Sequence, residues 1–166
     1  MLFRSRPVLS WPASCEEAFE ASASSDDAGL VFTRLSERDT LVDVLCASGG
    51  YQPSHAIVLL DDGGGTEAAR VLRVSVMTSS DGASWTRTEE TEIWGEVRVQ
   101  AATGDIVVLS VARQTRDCGV WSRYRVGRAG AELTEVWAGL PCRNPPGAVA
   151  ELADGPPKSW RPVAMK

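Results

Sequence analysis

The sequence predicts an all-β fold: an antiparallel β-sandwich or barrel-like meander with one short N-terminal helix and an extended, proline-rich C-terminal tail. Three observations support this prediction. Apolar residues recur with period two along most of the 166 residues, a pattern typical of strands with one buried face. Turn-forming residues separate these runs at short intervals, as hairpins between antiparallel strands require. A single segment has helical character.

The helix is predicted over residues 14–21, because Ser14 can cap the first turn and Glu17 occupies the capping-box position three residues later. Residues 1–12 are expected to form an N-terminal extension. Residues 13–163 are expected to form a single all-β domain, and residues 164–166 a short tail.

The predicted strands cover, in chain order, residues 30–35, 40–46, 55–60, 71–76, a short run around Val97 and Val99, 106–111, 119–126 and 131–138. In the fourth of these, Leu72, Val74 and Val76 are expected on one face of the strand. The run over 106–111 is apolar on both faces, which is typical of a central strand.

Turns are predicted at 61–65, 80–82, 103–105 and 127–130, where Gly and Asp tolerate positive φ. The tail begins at Pro141 and carries further prolines up to Pro162, which exclude long regular structure. We therefore expect the tail to wrap the domain as an extended segment, with Trp160 as its anchor.

Composition and charge exclude several classes of protein. The chain has 17 Lys and Arg against 22 Asp and Glu, which gives a net charge of −5, and 43% of its residues are hydrophobic. Global disorder does not fit this composition. The longest apolar runs are far shorter than the roughly 20 residues of a membrane span. An acidic chain also lacks the electrostatic footprint of nucleic-acid binding.

The four cysteines are separated by 31, 72 and 24 positions. This spacing argues against a metal site, because structural zinc sites usually take two ligands from one short turn. Two disulfides are predicted, with three connectivities open. Proximity in sequence favours the pairs Cys15 with Cys46 and Cys118 with Cys142. The alternative is four reduced, buried cysteines in a cytosolic protein.

The first ten residues include Arg4 and Arg6 but have no apolar stretch of signal-peptide length and no small-residue cleavage site. We expect Met1 not to be the native start and an export leader to lie upstream. The predicted location is therefore periplasmic or secreted, and the cytoplasm is the alternative.

His55 is the one histidine and the first candidate for a general base. Ser54 precedes it directly, but neighbours on a strand point to opposite faces, so the two side chains are not expected to form a pair. The acidic, glycine-rich stretch at 61–67 lacks the spacing of a calcium loop or a phosphate loop. No catalytic residue and no cofactor are assigned from the sequence.

Residues 113–128 carry five arginines and one acid, Asp117. Alternation along the strand places Trp121, Arg123 and Arg125 on one face. An aromatic ring beside two guanidinium groups suits an anionic envelope polymer, a glycan or a protein partner. The alternative is an ordinary surface strand, on which Arg125 lies opposite Glu132 across a hairpin.

Four segments carry a resemblance to a known family. They are 46–52 (CASGGYQ), 116–119 (RDCG), 142–143 (CR) and 160–162 (WRP). In order and approximate spacing they resemble a family of exported bacterial proteins, domain of unknown function 1176, over about residues 15–162. The chain differs from that family's pattern at Gly50, Arg116 and Asn144. The resemblance implies an extracytoplasmic location and paired cysteines, and it implies no activity.

The sequence thus predicts a non-catalytic, disulfide-stapled binding or interaction module of the bacterial cell envelope. One alternative is a hydrolase that uses His55 as its general base with a distant nucleophile. Another is an inhibitor of an envelope enzyme.

Overall fold

A computed structural model describes residues 11–22, 29–61, 69–127 and 129–165. Residues 1–10 of the predicted extension over 1–12, most of the turn at 61–65, Arg128 and the terminal Lys166 lie outside the described residues. Half of the chain lies in strands and 6% in helix, which confirms the all-β class.

The described residues contain one helix, α1 (Ala13–Ser22), which confirms the short N-terminal helix. The strands in chain order are β1 (Leu30–Arg34), β2 (Asp39–Ala47), β3 (Ser54–Asp61), β4 (Ala69–Val71), β5 (Val74–Thr78), β6 (Thr86–Glu90), β7 (Ile93–Trp94), β8 (Glu96–Gln100), β9 (Asp105–Val111), β10 (Gly119–Gly127), β11 (Gly130–Ala138) and β12 (Arg161–Pro162).

These strands form two five-stranded sheets and one separate hairpin, and every strand pair is antiparallel. The first sheet has the order β1-β2-β3-β4, with β7 also pairing with β3. The second sheet has the order β12-β11-β10-β9-β8, and β5 pairs with β6 in the hairpin. The predicted central strand, β9, lies between β8 and β10 as expected.

The two large sheets enclose one apolar core, to which the β5–β6 hairpin also contributes. Its buried side chains include Leu41, Ile57, Leu59, Val74, Ile106, Val108, Tyr124, Leu133 and Val136. On β2 and β3 the residues between these core positions are buried as well, because a second covering lies on the outer face of the first sheet. Strands buried on both faces are expected to be continuously apolar.

Helix α1 covers the outer face of the first sheet. Trp11 and Cys15 pack there against Val42, Val44 and Val58. A disulfide joins Cys15 of the helix to Cys46 of β2. The helix is therefore fixed to the sheet both by apolar contacts and by a covalent bond.

Residues 139–160, the C-terminal strap, have no regular structure and cover the outer face of the second sheet. Trp160 is buried against this sheet, as predicted, in a cluster with Trp121 and Ala150. A Cβ at Gly139 would lie 2.7 Å or less from three atoms of the Trp160 indole, so this position requires glycine. The disulfide between Cys118 and Cys142 ties the strap to the start of β10.

The structure differs from the predicted strands in one run that is divided and in three strands that were not predicted, β6, β7 and β12. The run over 71–76 is divided, because β4 ends at Val71 and β5 begins at Val74. The amide of Leu72 donates to the Ile57 carbonyl at this transition. The five residues of β6 are all exposed.

Candidate functional site

The predicted ligand-binding residues lie on the outer face of β10. Trp121 and Arg123 both face the C-terminal strap, while Tyr124 between Arg123 and Arg125 points into the central core. Arg125 lies opposite Glu132 in the register of the β10–β11 hairpin, as the alternative interpretation expected. A register shift between Arg123 and Tyr124 does not disturb this alternation.

The C-terminal strap occupies the surface of two of these three side chains. Trp121 is completely buried, and its indole Nε1 donates to the Ala153 carbonyl at 3.2 Å. The Arg123 guanidinium lies 5.3 Å from the centre of the Trp121 ring and donates to the Asp154 carbonyl at 2.6 Å. A ligand could reach Trp121 only after residues 150–154 had left this face.

Arg123 also neutralises a buried acid. Its Nη1 lies 3.3 Å from Oδ2 of Asp105, which is 4% exposed, and Nε of Arg125 lies 3.7 Å from Oδ1. The Arg125 side chain is 69% exposed. Ligand binding at Trp121, Arg123 and Arg125 stays a prediction, and the contacts of the first two residues are those of an internal support for the strap.

Two further arginines of this stretch have internal partners. Arg113 binds Asp117 through two nitrogens at 2.8 and 2.6 Å and donates to the Arg143 carbonyl at 2.7 Å. Arg116 forms an ion pair with Glu96 at 2.6 Å. The positive charge concentrated here by the sequence is therefore used largely to hold strands and strap together.

Asp117 is the centre of this network. Besides Arg113, its carboxylate accepts from the Thr115 hydroxyl at 2.6 Å and from the Gly147 amide at 3.0 Å. The Arg113 guanidinium, followed by the Thr115 hydroxyl, holds the pKa of Asp117 well below its usual range. A carboxylate bound in this way is a structural group of the strap.

The His55 side chain pairs with Asp43. Its Nδ1 lies 2.6 Å from Oδ1 of Asp43, and the two side chains are 13% and 11% exposed. Nε2 is buried and has no hydrogen-bond partner among the described residues. A general base in a hydrolase needs its free nitrogen within reach of a nucleophile or of substrate. Asp43 can orient the imidazole as the carboxylate of a catalytic triad does, but among the described residues no nucleophile forms a hydrogen bond with Nε2.

Ser54 points away from His55, as the sequence predicted. Its hydroxyl donates to Oε1 of Glu92 at 2.6 Å, and the hydroxyl of Ser14 donates to Oε2 of the same carboxylate at 2.9 Å. Glu92 thus links the helix to β3. The Ser54 hydroxyl therefore holds Glu92 and does not pair with His55.

A cavity with charged and aromatic groups at its surface lies elsewhere. A cleft of about 620 Å³ opens between the β5–β6 hairpin and strand β12, and we call it the cationic cleft. Trp85 and Arg87 line it from the hairpin side, and Arg161 lines it from β12. Apolar residues complete its wall: Met77, Ala83, Ala138, Leu140, Pro162, Val163 and Ala164.

A structured turn builds one wall of the cationic cleft. Oδ1 of Asp81 accepts from the amides of Ala83 and Ser84, both at 2.8 Å, and these amides with the Ser79 hydroxyl hold the pKa of Asp81 below its ordinary value. Gly82 has φ +73°, and a Cβ there would lie 2.6 Å from the Leu140 carbonyl oxygen. The turn is thus fixed before any ligand arrives.

The two guanidinium groups of the cleft differ in their contacts. Arg87 is half exposed, donates to the Ser75 hydroxyl at 2.7 Å and lies 4.0 Å from the Glu89 carboxylate. The exposed Arg161 side chain has no hydrogen-bond or ion-pair partner among the described residues. Trp85 lies between the solvent and the central core, with Nε1 3.3 Å from the Gly82 carbonyl.

The sequence carries a signal for this cleft that the sequence reasoning missed. A tryptophan followed two positions later by arginine occurs as Trp121 and Arg123, and also as Trp85 and Arg87. Both pairs place a ring and a guanidinium on one side of the chain. What separates them is the strap, which covers the first pair and leaves the second open.

Comparison with protein families, with curated proteins and with solved structures finds no match for this chain. The resemblance to domain of unknown function 1176 stays a prediction. Within the described ranges, no helix is long and apolar enough to cross a membrane.

Proposed function

We propose that this chain is an extracytoplasmic, disulfide-bonded binding module that takes an anionic ligand in the cationic cleft. The observation that carries the proposal is that Arg87 and Arg161 line one cavity beside Trp85, in a chain whose net charge is −5. Guanidinium groups bind carboxylate, sulfate and phosphate groups through paired hydrogen bonds.

Arg161 supports this role more strongly than Arg87 does, because it has no internal partner among the described residues. An exposed arginine without an internal partner keeps its donors available for a ligand. Arg87 is oriented toward the cleft wall by the Ser75 hydroxyl, which limits the side-chain entropy lost on binding. Trp85 offers a ring for stacking.

The disulfides support the proposed location. Both pairs expected from proximity are formed, Cys15 with Cys46 and Cys118 with Cys142, and such bonds persist in oxidising compartments. They are compatible with an extracellular protein. The periplasm or the medium is therefore the proposed site of action, in agreement with the family resemblance.

A matched pair of probes tests the proposal. The aromatic anion 2-naphthoate and the neutral 2-naphthamide have the same ring and nearly the same shape, so their affinities differ through charge. We expect calorimetry to show naphthoate binding at least tenfold more tightly. Arg161→Ala should weaken naphthoate binding about tenfold, since a charge-assisted hydrogen bond contributes about 1.5–3 kcal/mol.

Arg125→Ala is the control, because Arg125 is 69% exposed and lies outside the cleft. It should leave the affinity unchanged, and Arg161→Lys should recover part of it. Equal affinity for the two probes would overturn the proposal. Loss of binding in the Arg125 variant alone would move the site to the outer face of β10.

A further inference from the structure

A second cavity adjoins the cationic cleft and differs from it in chemistry. It lies at an open end of the central core, between β5 and β7 on one side and β9 and β10 on the other, with a volume of about 140 Å³. We call it the apolar slot. Its lining is mainly hydrophobic and includes Val76, Ile93, Val108, Val111, Val120 and Tyr124.

The two cavities share walls. Met77 and Leu140 line both the cationic cleft and the apolar slot. Trp94, which is 49% exposed, lies at the slot and presents a large aromatic surface to solvent. A charged cavity and a hydrophobic cavity are therefore neighbours.

We propose that the ligand is an anionic amphiphile, with its charged head between Arg87 and Arg161 and a linear acyl chain in the apolar slot. This inference rests on the proposed function and names its ligand class. The cations of the cleft supply the charge complementarity for the head, and the slot supplies the surface that removes methylene groups from water.

The shape of the slot favours a linear chain. It is bounded by side chains of paired strands, since Val120 of β10 lies opposite Ser110 of β9 and both line it. Its small volume excludes the bulk of a sugar ring system. The polar side chains of its lining carry no charge: Thr78, Ser79, Ser110, Ser122, Tyr124 and Trp94.

A series of linear alkanoates from butanoate to dodecanoate, each below its micellar concentration, tests the inference by calorimetry on the intact protein. We expect each added methylene to tighten the Kd about fourfold until the slot is filled. The matching alkanols lack the charged head and should bind at least tenfold more weakly. Comparing the Kd of decanoate with the Kd of lysophosphatidylglycerol then distinguishes a free fatty acid from a lipid as the preferred ligand.

Val120→Phe should fill the slot and abolish the gain with chain length while naphthoate still binds. Ser110→Phe fills the same slot from the neighbouring strand, β9, and replaces the first variant if that one does not fold. Val149→Phe is the matched control, because Val149 is 61% exposed and lines neither cavity.

The outcomes separate the two proposals. Affinity that depends on Arg161 but not on chain length would overturn the amphiphile and leave the anion-binding module standing. A gain with chain length that persists in both slot variants would also overturn it. Alkanols binding as tightly as alkanoates, together with equal binding of the naphthyl probes, would overturn the proposed function itself.

Discussion

At the scale of single residues, the Asp117 carboxylate shows how one side chain fixes a long irregular segment. It accepts hydrogen bonds from Arg113 in the loop after β9 and from the Gly147 amide in the C-terminal strap. Irregular segments have few backbone partners of their own, so a buried carboxylate that collects several donors substitutes for a strand ladder.

Asp117 should make the stability of the protein depend on pH. Its folded pKa lies below the value of about 3.9 for an unfolded Asp, so the unfolded chain binds the proton more tightly and stability rises with pH in this range. The contribution is complete above about pH 5 and is lost as the pH falls below 4. Asp117→Asn should lower the urea midpoint at pH 7, and the difference from wild type should shrink toward pH 2.

Glu151→Gln is the control for that experiment, since it removes an exposed acid from the same strap. Its urea midpoint should follow that of the wild type at every pH. A constant gap between wild type and Asp117→Asn from pH 7 to pH 2 would show that the carboxylate charge does not stabilise the strap.

Single residues also show what the sequence could predict. Alternation correctly gave Trp121 and Arg123 a common face, and it correctly separated Ser54 from His55. It could not tell what covers a face, because the covering strap lies about 30 residues further along the chain. Burial of Trp121 is therefore a tertiary effect without a local signal.

At the scale of elements, the C-terminal strap is held by a row of contacts along β8 and β10. Arg98 donates to the Leu152 carbonyl at 3.2 Å, Arg123 donates to the Asp154 carbonyl, and the Trp121 indole donates to the Ala153 carbonyl. Each of these side chains satisfies a carbonyl that has no strand partner.

Arg123→Ala should release the strap and destabilise the protein. The change removes the donor to the Asp154 carbonyl and leaves the buried Asp105 without its closer cation. Breaking a buried ion pair from one side costs about 3 kcal/mol, which urea unfolding can measure. The amide of Ala150, which donates to the Arg116 carbonyl, should exchange its hydrogen faster in the variant.

Arg125→Ala is again the matched control, with an expected loss below about 1 kcal/mol, because its guanidinium is largely solvated. Equal losses for the two variants would contradict the supporting role of Arg123. Unchanged exchange at Ala150 in Arg123→Ala would show that the strap is held by other contacts.

Strands with strong apolar alternation were predicted, and the polar β6 was not. Its sequence, TRTEE, has no apolar face, so it forms a strand only because β5 offers a partner. The same reason explains why the cationic cleft was not predicted, since Trp85 directly precedes this strand and Arg87 lies in it. Tertiary pairing supplied what local pattern did not.

At the scale of the whole molecule, the order of layers is helix, first sheet, core, second sheet and strap. The continuously apolar run of β9 correctly predicted a central strand. The pairing of the cysteines also followed the sequence separation, which suggests that each covering closes onto a sheet that is near it along the chain.

Thiol titration of the denatured protein should find no free thiol before reduction and four after it. Removing either disulfide as a double Cys→Ser variant should cost about 3.5 kcal/mol on the chain-closure account, a large share of the 5–15 kcal/mol of a typical domain. Urea unfolding measures this loss. Free thiols before reduction would contradict the assigned pairs and the extracytoplasmic location.

Neither disulfide crosses the interior: one fastens the helix to the first sheet, and the other fastens the strap to the second. The disulfides therefore hold the two outer coverings in place, whereas no disulfide joins the two sheets to each other. The apolar slot lies between β7 of the first sheet and β9 and β10 of the second, and two residues of its lining, Gly119 and Leu140, are close in sequence to the Cys118–Cys142 disulfide. Reduction of that bond should therefore change the uptake of a guest molecule by the slot, whereas reduction of the bond between Cys15 and Cys46, on the outer face of the first sheet, should not.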